Sequence, residues 1–139
     1  MLVSAKFRRA VAAARLSGIE FREALEFRPK FGTPALRQFA EECAADYRAV
    51  WVTGLASIEV TCGVRIAKDC KVCGWVEWTL PRNGIIIEEQ FWDGSDFFQL
   101  RELPGPMFMT ERAAHVLSNA GLSNFACKPA HEHWPGRIP

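Results

Sequence analysis

The sequence predicts a mixed α+β fold, with a central, mostly antiparallel sheet flanked by helices. Three observations carry that expectation. Capped amphipathic segments stand near both ends, and short β-like runs fill the stretch between 50 and 88. The two kinds of segment do not alternate as parallel βαβ units require. At 139 residues, with 49% hydrophobic and 24% charged side chains, the chain fits one domain over 1–139 that can bury a core without staples.

Ser4 suits an N-cap, and Phe7, Ala10, Val11 and Ala14 follow at helical spacing. A helix is expected near 4–17, ended by Gly18. Ile19-Glu20-Phe21-Arg22 alternates apolar and polar as a half-buried strand does. Thr33 and Pro34 open a helix near 34–48 whose apolar face is Leu36, Phe39, Ala40, Cys43 and Tyr47. Cys43 is expected to pack there as a small hydrophobe. Val50-Trp51-Val52, Ile58-Glu59-Val60, Trp75-Val76-Glu77-Trp78 and Ile85-Ile86-Ile87-Glu88 read as strands. Pro81-Arg82-Asn83-Gly84 has hairpin chemistry, because Asn-Gly tolerates positive φ. Thr110 caps a last helix near 110–120, with Ala113, Val116, Leu117 and Ala120 on one face and Gly121 after it. The offsets from cap to apolar residue repeat those of the first helix, and a short apolar stretch follows each glycine. That pattern fits a duplicated helix–strand unit, or simply the common look of capped amphipathic helices. The proline-bearing tail from 129 to 139 is expected to be irregular.

Seventeen basic against 16 acidic side chains give a net charge of +1, which makes no electrostatic case for a dedicated nucleic-acid binder. No apolar run approaches the roughly 18 residues of a spanning helix, so no membrane partner is expected. Met1 to Arg9 lacks the apolar region of a secretory signal, and an odd count of five cysteines does not suggest a disulfide scaffold. A soluble, cytoplasmic protein is expected. Composition leaves the oligomeric state open.

The most specific chemical feature is Cys70-Lys71-Val72-Cys73-Gly74, with Cys62-Gly63 upstream. Two thiolates two residues apart can grip one ion, and the following glycine permits a turn that aims N–H groups at sulfur. Structural zinc is the expected metal. Cys62 is a candidate third ligand, and Cys127, His131 or His133 a fourth. A redox dithiol is the competing chemistry, but it belongs at a helix N-terminus, and a strand-like segment follows here. Thiols that merely pack are the other alternative.

A second cluster is acidic: Glu88, Glu89, Asp93 and Asp96 around Phe91-Trp92-Asp93-Gly94-Ser95-Asp96-Phe97-Phe98. Aspartates flanking Gly-Ser are typical of an Asx-bonded turn. No nucleophile–base pair, HExxH motif or phosphate loop accompanies them, so no enzyme is expected and no catalytic residue is assigned.

The run from Phe91 to Leu100, followed by Met107-Phe108-Met109-Thr110-Glu111-Arg112, resembles the C-terminal signature of bacterial immunity proteins. It is similar to the Myxococcus double-CxxCG family of SitI-type immunity proteins, in which a CxxCG also stands upstream of this segment. The resemblance covers roughly 50 to 128. The family's first CxxCG is absent, with Cys62-Gly63 its one candidate remnant, and the N-terminal part of typical members has no clear counterpart. The resemblance implies a non-enzymatic cytoplasmic protein that binds and neutralises a cognate toxin delivered by a neighbouring cell. Glu88, Glu89, Asp93 and Asp96 are then candidates to meet a basic toxin cleft, and Trp92 and Trp134 candidates for aromatic anchors. A zinc-ribbon-like nucleic-acid-binding or regulatory module, suggested by the knuckle with Lys68 and Lys71, is the alternative.

Overall fold

The computed structural model describes residues 1–23, 46–82, 84–122 and 126–132. Along them run β1 (Leu2–Val3), α1 (Ala5–Ala13), β2 (Ile19–Glu23), β3 (Arg48–Val52), β4 (Gly54–Ala56), β5 (Ile66–Asp69), β6 (Val76–Trp78), β7 (Phe97–Leu100), β8 (Leu103–Met109) and α2 (Glu111–Asn119). Most of the helix expected near 34–48 lies outside the described residues, and its expected end is corrected, because Arg48 already opens β3.

The fold is α+β, but among the described residues the strands form three small sheets rather than one central sheet. β1, β3 and β2 pair antiparallel; β7 pairs antiparallel with β8 and parallel with β4; β5 and β6 make a separate antiparallel ribbon. The physical cause of the split lies around Thr53, where the chain leaves one sheet for the next. A Cβ on Gly18 would come within 2.0 Å of the Phe97 carbonyl, and one on Gly54 within 2.0 Å of Ser95 Oγ. Bare backbone at these two positions lets the sheets meet at the segment from Ser95 to Phe97.

Strand β7 is the wall between two cores. Successive residues of a strand face opposite sides. Phe97 points into a cluster with Val3, Phe7, Val11, Leu16, Ala113 and Leu117. Phe98 and Leu100 point into another with Ala56, Ile58, Cys62, Ile85 and Leu103.

The two described helices share their construction. Ser4 Oγ accepts the Phe7 N–H, and Thr110 Oγ1 the Ala113 N–H. Each helix is nine residues long and is followed by a residue with positive φ, Arg15 (+50°) in one case and Gly121 (+59°) in the other. The first helix therefore closes at Arg15, three positions before Gly18. Arg15 N–H donates to Ala12 O and Leu16 N–H to Val11 O, which is a Schellman closure, with Leu16 and Val11 buried together. Beyond Gly121, residues 123–125 lie outside the described set.

Two expected strands are corrected. Ile58 and Ile87 meet in a single antiparallel bridge, and Val60–Cys62 and Glu89–Phe91 form 3₁₀ turns. The bridge buries Ile58 and Ile85 without a ladder. The hairpin chemistry expected of Pro81 to Gly84 centres on Asn83, which lies outside the described residues; β6 pairs with β5, the strand before it.

Candidate functional site

The sequence singled out two chemistry-bearing clusters, and the fold treats them oppositely. Asp96 lies at the end of the turn Trp92–Ser95, where Gly94 takes φ +80°. Its carboxylate is 5% exposed and is surrounded by donors. Ser17 N–H donates at 2.9 Å, Thr110 Oγ1 at 3.0 Å, and Arg112 binds both oxygens through Nε (3.0 Å) and Nη2 (2.6 Å). Arg112 Nη1 also donates to Ala14 O at 3.2 Å. One carboxylate thus ties the end of α1 and the start of α2 to β7. Burial works against its ionisation, but the bonds from Arg112, Ser17 and Thr110 outweigh it and hold the pKa at about 2.

Asp93 is equally committed. It accepts Leu55 N–H at 2.8 Å and Ser95 N–H at 2.9 Å, and it accepts the Ser95 hydroxyl. Burial opposes its charge, yet the bonds from Ser95 and Leu55 place it below the usual carboxylate range. Trp92 is half-buried, its ring centroid 6.0 Å from that of Phe98 and its Nε1 donating to Ser95 O at 3.1 Å. Asp93, Asp96 and Trp92 are therefore joints of the scaffold. Of the acidic cluster only Asp96 is buried: Asp93 and Glu89 are exposed and Glu88 is half-buried, but Glu88 and Glu89 are not tied into the turn as Asp93 is.

They have company that the sequence did not reveal. The Ile58–Ile87 bridge, with Glu59 N–H donating to Ile86 O at 2.9 Å and Glu88 N–H to Ser57 O at 2.9 Å, lays the two 3₁₀ turns side by side. A shallow depression between them is lined by Glu59, Val60, Thr61, Glu88, Glu89 and Gln90. Glu59 accepts the Thr61 hydroxyl and Glu88 the Gln90 amide, and among the described residues no Lys or Arg pairs with any of the three glutamates. Val60 and Phe91 stand exposed beside them. Only long-range pairing could have exposed this group, since Glu59 is nearly thirty positions from Glu88.

The cysteines divide differently. Cys70–Gly74 forms the turn of the β5–β6 ribbon, with Cys70 N–H donating to Trp75 O (2.9 Å) and Gly74 N–H to Cys70 O (2.8 Å). N–H groups of Cys73 and Val72, with the Cys73 side chain, bond to the Cys70 sulfur and lower its pKa. Cys62 is fully buried in the second core, its sulfur accepting Ile86 N–H at 3.2 Å. Cys127 is exposed beside Pro106–Met109. The tail does return towards Cys62: Ile85 N–H donates to Ala130 O at 3.3 Å, and Ala130 packs on the same core. Its His131 side chain is exposed, while Cys43, His133 and Trp134 lie outside the described residues. Among the described residues, no three His, Cys, Asp or Glu side chains converge on one ion. No described helix is long and apolar enough to cross a membrane.

Comparison with family models, with curated proteins and with solved structures found no match to this chain.

Proposed function

We propose that this chain is an immunity protein: a non-catalytic cytoplasmic protein that neutralises a cognate toxin by binding it directly. The observation that carries the reading is the order of three segments that resemble the double-CxxCG immunity family, namely Cys70–Gly74, Phe91–Leu100 and Met107–Arg112. Their placement in the fold supports a common scaffold, since the aromatic DGSD run and the Thr-Glu-Arg helix start are bound to each other through Asp96.

The toxin-contact surface is the face of the two 3₁₀ turns. Three carboxylates without a cationic partner among the described residues, next to exposed Val60 and Phe91, suit a basic partner surface with an apolar contact. In this reading Glu59, Glu88 and Glu89 make the contact, while Asp96 and Trp92 support the turn from beneath and exposed Asp93 holds its shape through Leu55 and Ser95. That same acidic face disfavours the nucleic-acid-binding alternative, because phosphates are met by positive charge.

The test is co-expression with the product of the gene immediately upstream. The reading expects growth to be restored and the two proteins to co-purify. Growth arrest despite abundant folded protein would refute it.

A further inference from the structure

The β5–β6 ribbon has an unusual position in this molecule. It belongs to neither of the two larger sheets, and every residue of β5 is exposed. Its tip carries Cys70 and Cys73 together with two of the most exposed apolar side chains described, Val72 at 96% and Trp75 at 61%. Among the described residues, neither side chain belongs to a core cluster.

The turn presents its two sulfurs as one unit. The turn is closed by Gly74 N–H donating to Cys70 O at 2.8 Å and Cys70 N–H to Trp75 O at 2.9 Å, and the N–H groups of Val72 and Cys73 lie on the side of the Cys70 sulfur. Such N–H donors are compatible with a metal-bound thiolate, which accepts hydrogen bonds after coordination. Two thiolates are half of a tetrahedral zinc shell.

The missing half does not come from Cys62. Four residues of extended chain, Ile66–Asp69, separate the base of the ribbon from its tip. At about 3.3 Å per residue they span roughly 13 Å. Thiolates sharing one zinc at about 2.3 Å each must lie within about 4 Å of one another. Cys62 is, besides, held in the core by Ile86.

We propose that the ribbon tip is half of a zinc clasp, in which Cys70 and Cys73 of one copy and the same pair from a second copy of this chain hold a single Zn²⁺. A two-fold axis through the metal makes the interface self-complementary, with identical half-sites meeting identical half-sites. Val72 and Trp75 of both copies are covered against each other. The ribbon's charges permit the approach: Lys68 and Lys71 balance Asp69 and Glu77, with Lys71 paired to Asp69. A tetrathiolate zinc centre carries net negative charge, and the lysines of both tips lie near it. The clasp does not use the toxin-contact face of the two 3₁₀ turns, and its test reads metal and mass rather than toxin binding, so either can fail without the other.

The test loads the reduced, full-length chain with Zn²⁺, and in parallel with Co²⁺ as a spectroscopic probe, while its mass is followed by light scattering. The expected result is one metal per two chains, a monomer-to-dimer shift on loading that a chelator reverses, and the thiolate charge-transfer and d–d bands of tetrahedral cobalt. Cys73→Ser is expected to abolish both dimer and bands while keeping the far-ultraviolet circular dichroism of the parent. Cys127→Ser is expected to keep stoichiometry and dimer. One metal bound per monomer, a dimer that survives Cys73→Ser, loss of the site in Cys127→Ser, or absence of the cobalt bands would each overturn the clasp.

Discussion

The joint around Asp96 and the ribbon tip around Cys70 both stand out in the sequence as dense groups of reactive side chains, yet their surroundings are opposite. At the joint every acidic oxygen has a donor, and the carboxylate is nearly inaccessible. At the tip Cys73 is exposed and Cys70 half-buried, on a ribbon that packs little against either core. The lesson is that residue type nominates a site but the supply of partners decides its use. A carboxylate satisfied by five donors has spent its chemistry on structure; a pair of adjacent thiols at an exposed tip has not.

The contrast is broken most forcefully by removing each group in turn. Asp96→Ala leaves Ser17 N–H, Thr110 Oγ1 and Arg112 without their shared acceptor, and is expected to cost about 3 kcal/mol or more in denaturant unfolding. If it costs no more than a surface substitution, Asp96 is not a joint.

Acid tests the same residue with a sign. The folded pKa of Asp96, about 2, lies below the ordinary 3.8, so the unfolded chain binds its proton first as pH falls. The stabilisation, about 2 kcal/mol, is complete above the unfolded value and is lost as pH falls through the folded one. Unfolding followed from pH 5 to 2 is expected to show this acid limb in the parent, and a shallower one in Asp96→Asn.

How helix α1 ends is the next and smaller effect. Arg15 bears the cost of a left-handed backbone that Gly121 bears freely at the matching place in α2. Gly121→Ala is expected to destabilise by about 1 kcal/mol, and Arg15→Gly to stabilise by about 0.5 kcal/mol. Equal melting temperatures in both variants would mean that the two helices do not close alike.

The smallest expected effect is at the tip. Cys70→Ser and Cys73→Ser in metal-free protein should change stability by no more than about 0.5 kcal/mol, since neither side chain is in a core.

What was legible in the sequence was mainly local. The Ser4 and Thr110 caps, the apolar faces behind them and strands β2 and β3 follow from spacing and from bonds within a few residues. The end of α1 was misplaced because a glycine at 18 looks like a terminator, whereas its bare Cα is needed against the Phe97 carbonyl. Strand β5 escaped notice because Ile66-Ala67-Lys68-Asp69 lies exposed on both faces and therefore carries no alternation. The Ile85–Ile87 run misled in the other direction: it is buried as a bridge and core segment, not a ladder. For the candidate site, the CxxCG turn was readable from its own spacing. The fates of Asp93 and Asp96 depended on Leu55, Ser17 and Arg112, and Glu59 entered only when a long-range bridge brought it to Glu88.

The central claim is that this scaffold meets a basic toxin surface through the acidic face between the two 3₁₀ turns. The most direct measurement is the association rate of the purified chain with the product of the upstream gene, for the parent and for a Glu59→Lys, Glu88→Lys, Glu89→Lys variant, across a salt series. The expected result is at least a roughly tenfold slower association for the variant at low salt, narrowing as salt rises, with an unchanged fold. An association rate that is the same in both proteins at every salt concentration would contradict the account.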